Sequence, residues 1–168
     1  IFDNRPFAVS EAAKLAEDSG AFLIDINMGC PVKKISRKGG GSALINDRLL
    51  AIELVKRVSN AVKVPVTVKT RLGWENKEEN IEEFLLSLQD AGAEMITLHG
   101  RTRKEGFSGK ADWEMIGKIK ELLEIPVIAN GDIKNPKDAL NCFKKTNADG
   151  LMIGRGILGS PWKIGVID

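Results

Sequence analysis

Two textures alternate along the chain. Short apolar runs, 22-FLIDIN-27, 64-VPVTVKT-70, 94-EMITLH-99, 125-IPVIAN-130 and 149-DGLMIG-154, have the β-branched and aliphatic character of strands. Between them lie stretches with helical spacing. The first covers 10–19, with Ser10 as its N-cap and Gly20 just past its end. The second covers 47–61, with Leu50, Leu54 and Val58 on one face. The third covers 79–91 and stops at Gly92, and the fourth covers 112–123, starting at Asp112. The fifth opens on Asn135-Pro136, a cap followed by a proline at the first helical position, and runs to about 145.

Strands separated each time by one helix demand crossover connections and a parallel sheet. The runs are nearly continuous in their apolar character, as expected of parallel strands buried on both faces. Such a sheet either stays open and doubly wound or closes into a (β/α)8 barrel. The ends of the runs favour the barrel. Asn27, Lys69, His99, Asn130 and Gly154 all stand at carboxyl ends, the rim on which a barrel builds its site from many strands. An open sheet gathers its ligand at one switch point, and no GxGxxG opens the first unit. A whole barrel has eight strands and typically about 250 residues. The expected architecture is therefore α/β, a (β/α)8 TIM barrel of which this chain holds the C-terminal five βα units. Residues 1–2 read as the tail of a sixth strand, and a chain opening on Ile1 is expected to lack the strands before it. Two open sheet edges then predict self-association of the partial barrel or a missing complement.

Composition narrows the class only slightly. The 168 residues are 43% hydrophobic and 29% charged, an ordinary globular balance, with a net charge of +2. Basic residues cluster at Lys33, Lys34, Arg37 and Lys38 and again at Arg101, Arg103 and Lys104. Cys30 and Cys142 form no CxxC, and there is one histidine, so neither a disulfide framework nor a metal centre is indicated. No apolar run reaches the roughly 18 residues of a membrane span. No signal peptide is visible either, and a reducing cytoplasm is the default expectation.

Chemistry concentrates on the rim. The segments 130-NGDI-133 and 154-GRGILGSPW-162 follow the last two strands, where barrels often bind phosphate with glycine-rich turns. Arg155 adds a guanidinium fork. Lys69, ending a buried strand, either snorkels or faces an electron-rich cofactor ring. His99 shares its rim. In 106-GFSGKADW-113, Phe107 and Trp113 read as packing residues of an ordered loop. Cys30 lies in a loop set by Gly29 and Pro31 rather than in the core. A Cys30–His99 pair is one reading. The other is a proton donor, since an ordinary thiol is mostly protonated at neutral pH.

Six stretches carry a resemblance: 25-DINMGCPVKK-34, 66-VTVKTRLGW-74, 98-LHGRTR-103, 108-SGKADW-113, 127-VIANGDI-133 and 152-MIGRGILGSPW-162. Together the chain resembles the tRNA-dihydrouridine synthases, and 39-GGGSALI-45 is similar to their bacterial B-type branch. The resemblance implies FMN as cofactor, NADPH as reductant and uridine in tRNA as substrate, with hydride going to C6 and Cys30 protonating C5. It places Lys69 and His99 at the flavin, and Asn130, Gly131, Asp132, Gly154 and Arg155 at its phosphate end. It puts Asn27 and Arg71 at the uracil, and Lys33, Lys34, Arg101 and Arg103 against tRNA phosphates. The target base must leave the RNA stack to reach such a site.

The pattern also departs from the family. The Pro-Met-Ala-type flavin contact of the first strand, the Gln of the third and the C-terminal helical tRNA-binding domain are not in this sequence. Phe107 stands where relatives often carry Tyr. Two alternatives remain open: an FMN barrel reductase acting on free pyrimidines, and an inactive barrel fragment.

Overall fold

The structure, a computed structural model, describes residues 1–32, 36, 38–75 and 80–167. Helix α1 (Pro6–Asp18) leads into β1 (Ile24–Asn27), and a 3₁₀ turn (Gly41–Ile45) precedes α2 (Arg48–Ser59). Then follow β2 (Val66–Arg71), α3 (Ile81–Asp90), β3 (Met95–His99), α4 (Trp113–Leu122), β4 (Val127–Asn130), α5 (Pro136–Thr146) and β5 (Gly150–Met152). Two further 3₁₀ turns and a short helix α6 (Ile164–Ile167) end the chain.

Side-chain caps mark the heads of three helices. The Asp47, Asp112 and Asn135 side chains accept hydrogen bonds from the amides of Leu50, Met115 and Asp138 at the heads of α2, α4 and α5. Helix α1 corrects the sequence reading. It begins at Pro6, not after Ser10, because a proline at the first position needs no amide partner. Ser10 lies inside the helix, its hydroxyl donating to the Phe7 carbonyl.

All four strand pairs are parallel and their spatial order is β1-β2-β3-β4-β5, with no reversal. A doubly wound sheet would show a switch in that order. Consecutive helices pack on one another, α1 on α2, α2 on α3, α3 on α4 and α4 on α5, so they form one layer on one face. This is the succession of a barrel wall. The Asn27 amide donates to the Ile1 carbonyl, so Ile1 lies alongside the outer edge of β1.

The strands are not apolar on both faces, which corrects the sequence reading. Ile24, Ile26, Val66, Val68, Ile96, Leu98, Val127 and Ala129 point one way and are buried in one cluster with residues of the helices, including Leu54, Leu85 and Ile116. The alternate positions carry Asp25, Asn27, Thr67, Lys69, Arg71, Thr97, His99 and Asn130. The inner face of a barrel wall near its rim is where polar chemistry is held, so the alternation is the site showing through.

Candidate functional site

Strand register turns scattered sequence positions into rows. Asn27 pairs with Lys69, and Lys69 with Thr97; Arg71 pairs with His99, and His99 with Asn130. Of these, Asn27, Lys69, Arg71, His99 and Asn130 line a cleft of about 820 Å³ together with Cys30, Phe107, Asp132, Gly154 and Arg155. Its size suits a small organic ligand.

Asn130 sits at the centre of the rim. Its Oδ1 accepts from Lys69 Nζ at 3.3 Å and lies 2.7 Å from His99 Nδ1, while its Nδ2 donates to the Met152 carbonyl at 2.7 Å. One amide thereby ties β2, β3, β4 and β5. Burial, with smaller help from the cations Arg71, Lys69 and Arg101, pulls the His99 pKa down to about 4. The imidazole is neutral at physiological pH. Burial, then Arg71, also draws the Lys69 ammonium below its ordinary value, with Asp25 and Cys30 opposing. Asp25, hydrogen-bonded by Thr67 Oγ1 at 2.9 Å, is pushed up by burial.

The loop carrying Cys30 is set from both sides. Asn27 Oδ1 accepts the amides of Gly29 and Cys30, both at 3.0 Å. This is the local turn that asparagine favours. The Ser42 amide donates to the Cys30 carbonyl. Arg71, only 4% exposed, donates from Nε to the Gly29 carbonyl at 2.8 Å and from Nη1 to the carbonyls of Thr102 and Gly106. The last residue of β2 thus holds the loops above β1 and β3 in fixed relation. Cys30 stays half-exposed in the cleft, whereas Cys142 is buried in α5 and its pKa is pushed up to about 11 by that burial.

Arg101 is 1% exposed. It donates to the carbonyls of Ser108 and Gly109 and to both oxygens of Asp132, at 2.7 to 2.8 Å. Asp132 Oδ2 also accepts the Ala111 amide. Burial raises the Asp132 carboxyl, but the Ala111 amide and Arg101 outweigh it and hold it below its ordinary value. Across the mouth, the exposed Arg155 guanidinium lies 4.0 Å over the Phe107 ring, with Arg71 5.9 Å from the same ring. Arg103 stacks on Trp74 at 4.5 Å. A side chain at Gly154 would meet no atom within 4 Å, so its backbone is open to close approach. Among the described residues no group of three or more His, Cys, Asp or Glu could hold a metal ion, and no helix is long and apolar enough to cross a membrane.

The family model described as "Dihydrouridine synthase (Dus)" matches residues 1–168. The chain belongs to the dihydrouridine synthase family. A Synechocystis sp. protein named "Probable tRNA-dihydrouridine synthase 1" is 55% identical over the whole chain, which covers 47% of that protein. A Rickettsia bellii relative is 48% identical over 97% of the chain and 50% of its own length. The "tRNA-dihydrouridine synthase B" of Vibrio parahaemolyticus is 45% identical over 96% of the chain and 50% of its own length. The chain thus spans about half the length of the curated dihydrouridine synthases it matches. Among solved structures it is similar to a phosphonopyruvate hydrolase (TM-score 0.66, 18% identity, 94% of this chain and 59% of that one). It is also similar to a dipeptide epimerase from Enterococcus faecalis (TM-score 0.61, 16% identity, 89% and 35%). At such identities these last two bear on the fold alone.

Of the residues that the dihydrouridine synthase resemblance implicates, Asn27, Cys30, Lys69, Arg71, His99, Asn130, Gly131, Asp132, Gly154 and Arg155 line one cleft. Two roles change. Arg101 also lines the cleft but is 1% exposed; its Nε and Nη2 are spent on Asp132 and two loop carbonyls, and Nη1 has no partner among the described residues, so it is a buried clamp rather than a surface contact. The Asp132 carboxylate is turned to that clamp rather than to a phosphate. Lys33 and Lys34 lie outside the described residues; Arg103 is half-exposed and Lys104 and Lys38 are exposed. Sequence reasoning missed Phe107 as a shelf for two arginines, and the Met152 carbonyl as the group that orients Asn130. An aromatic ring inside a glycine-flanked loop, 106-GFSG-109, was the available signal for Phe107.

Proposed function

We propose that this chain carries the catalytic cleft of a flavin-dependent tRNA-dihydrouridine synthase, which reduces uridine in tRNA to 5,6-dihydrouridine with NADPH as reductant. The observation that carries the reading is Cys30, a half-exposed thiol held over the rim by Asn27 and Arg71 in a cleft that also contains Lys69, His99 and Asn130. The residues present fit FMN. The open backbone at Gly154 and the cations Arg155 and Lys69 suit its phosphate and its electron-rich ring, and His99 Nε2, buried and without a partner among the described residues, is an acceptor that a ligand hydrogen would satisfy.

FMN held by these residues would supply the hydride chemistry for the uracil, with NADPH as its reductant. The Cys30 Sγ–H gives its proton to C5, and water entering the open cleft restores the thiol. His99 is neutral and its Nδ1 faces Asn130, so it is not the proton source. Arg71 keeps the Gly29–Cys30 peptide in place, and with Asn27 borders the space for the base. Arg103, Lys104 and Lys38, with Lys33 and Lys34, supply positive charge for RNA phosphates. The Trp74 stack pre-orients the Arg103 guanidinium. The setting is a reducing cytoplasm.

The deciding assay substitutes this chain for the matching half of the Synechocystis relative and measures NADPH-dependent dihydrouridine in unmodified tRNA. Cys30→Ala should lower turnover by about 10²-fold or more, the usual worth of a positioned acid, with flavin still bound. A folded, flavin-loaded chimera that leaves tRNA unreduced, or that reduces free uracil equally fast, overturns the reading.

A further inference from the structure

We infer that Asn130 is a positioning residue that fixes the tautomer of His99, so that Nε2, buried beside the cleft, is left as a bare acceptor that only a ligand group carrying an N–H or O–H would satisfy. The inference deepens the flavin reading and rests on it for the ligand, but not for the tautomer.

The argument begins with the Asn130 amide. Its Nδ2 lies 2.7 Å from the Met152 carbonyl, which can only accept, so the NH2 end must point at β5. Oδ1 therefore faces β2 and β3. There it receives Lys69 Nζ, which can only donate. An oxygen so placed is an acceptor for the imidazole too, and His99 Nδ1 at 2.7 Å must carry the proton. A neutral imidazole has one N–H. Burial and three nearby cations, Lys69, Arg71 and Arg101, keep a second proton off. Nε2 is thus an acceptor without a donor. It is buried, has no partner among the described residues, and belongs to a residue 7% exposed that lines the cleft. A buried acceptor in that state favours any ligand that brings a hydrogen and disfavours one that brings another lone pair. The network thereby acts as a filter. Lys69 and the His99 ring are aimed by one side chain, and that side chain is itself aimed by the β5 backbone. Among the described residues the surroundings of His99 are otherwise neutral or cationic: Gly131 lies beside the ring, and its charged neighbours are the three cations named.

The chain holds a single histidine, so its imidazole can be read by ¹⁵N-detected NMR without assignment ambiguity. In the free chain at pH 7 the proton should reside on Nδ1, with Nε2 at the far-downfield position of an unprotonated nitrogen. A proton on Nε2 overturns the inference. Added FMN should move the Nε2 resonance upfield, as for a nitrogen that has gained a donor, while the Nδ1 proton stays. FMN that binds by fluorescence quenching yet leaves Nε2 unmoved overturns the ligand half. FMN that fails to bind even the chimera with the Synechocystis relative sinks the flavin reading and leaves the tautomer result to decide this one. In Asn130→Asp the carboxylate should hold the same Nδ1 proton and raise the His99 titration midpoint above its value of about 4. In Asn130→Ala an Nε2–H population should appear. Unchanged spectra in both variants would reduce Asn130 to a packing residue.

Discussion

His99 carries the clearest pH signature of any residue in the cleft. Its pKa falls from 6.5 in the unfolded chain to about 4 in the folded one. The unfolded state therefore binds more protons between those values, and stability drops as pH falls through that window. The loss should be on the order of 2–3 kcal/mol once pH is below about 4, and absent above pH 7. Urea unfolding at pH 7 and 4.5, compared between the native chain and His99→Gln, isolates this contribution from that of the carboxylates. Equal acid losses in both would show that His99 is not held neutral. The same residue scale gives Cys30 its meaning. Position in a Gly-Pro loop marked it as outside the core, and the geometry adds that Asn27 and Arg71 hold its two preceding peptides.

At the scale of elements, two loop-to-loop contacts set the shape of the cleft. Arg101 stitches the loop after β3 to the loop after β4 through Asp132. Arg101→Leu would remove the partner of the partly exposed Asp132 carboxylate and of two carbonyls, at a cost of about 1–3 kcal/mol. Arg101→Lys should recover only part of it, because an ammonium lacks the fork. Had Arg101 stood on an RNA-facing surface, Lys would be neutral to stability, so chemical denaturation of the two variants separates the alternatives. The second contact joins the loops after β4 and β5. A side chain at Gly156 would collide with the Ile133 carbonyl. Gly156→Ala should therefore lower stability by about 1–3 kcal/mol, read as a fall in Tm. An unchanged Tm would mean that the β5 loop rests elsewhere. Helix heads were legible because caps are local: Asp47, Asp112 and Asn135 hydrogen-bond three residues ahead. The start of α1 was misplaced because Ser10 resembles a cap, whereas Pro6 satisfies the start by lacking a donor.

For the whole molecule, five parallel strands in sequential order leave β5 as one edge of the sheet and β1, bordered by Ile1 alone among the described residues, as the other. Large apolar side chains are exposed near them: Phe22 at 92% beside β1, and Leu158 at 75% and Trp162 at 70% beyond β5. Unpaired edges and such side chains favour association. Sedimentation of the isolated 168-residue chain should show concentration-dependent self-association. A cooperative monomer across the micromolar range would count against it.

What the sequence determined by itself was local or periodic. Strand and helix alternation, a parallel α/β wall and the polar carboxyl ends follow from spacing, propensity and short-range caps, and the motifs carry the family resemblance. What only the tertiary structure decided was which polar groups spend their hydrogen bonds on one another. Arg101 and Arg103 look alike in 98-LHGRTR-103, yet one is buried against Asp132 and the other lies on Trp74. Nothing nearby in sequence distinguishes them, because the partners lie one strand away on either side. Likewise Asn130 could be read as a rim residue. Only the register of β2 through β5 brought Lys69, His99 and the Met152 carbonyl to a single amide. Hydrogen bonds reach only about 3 Å, so their partners are fixed by how strands align across the sheet.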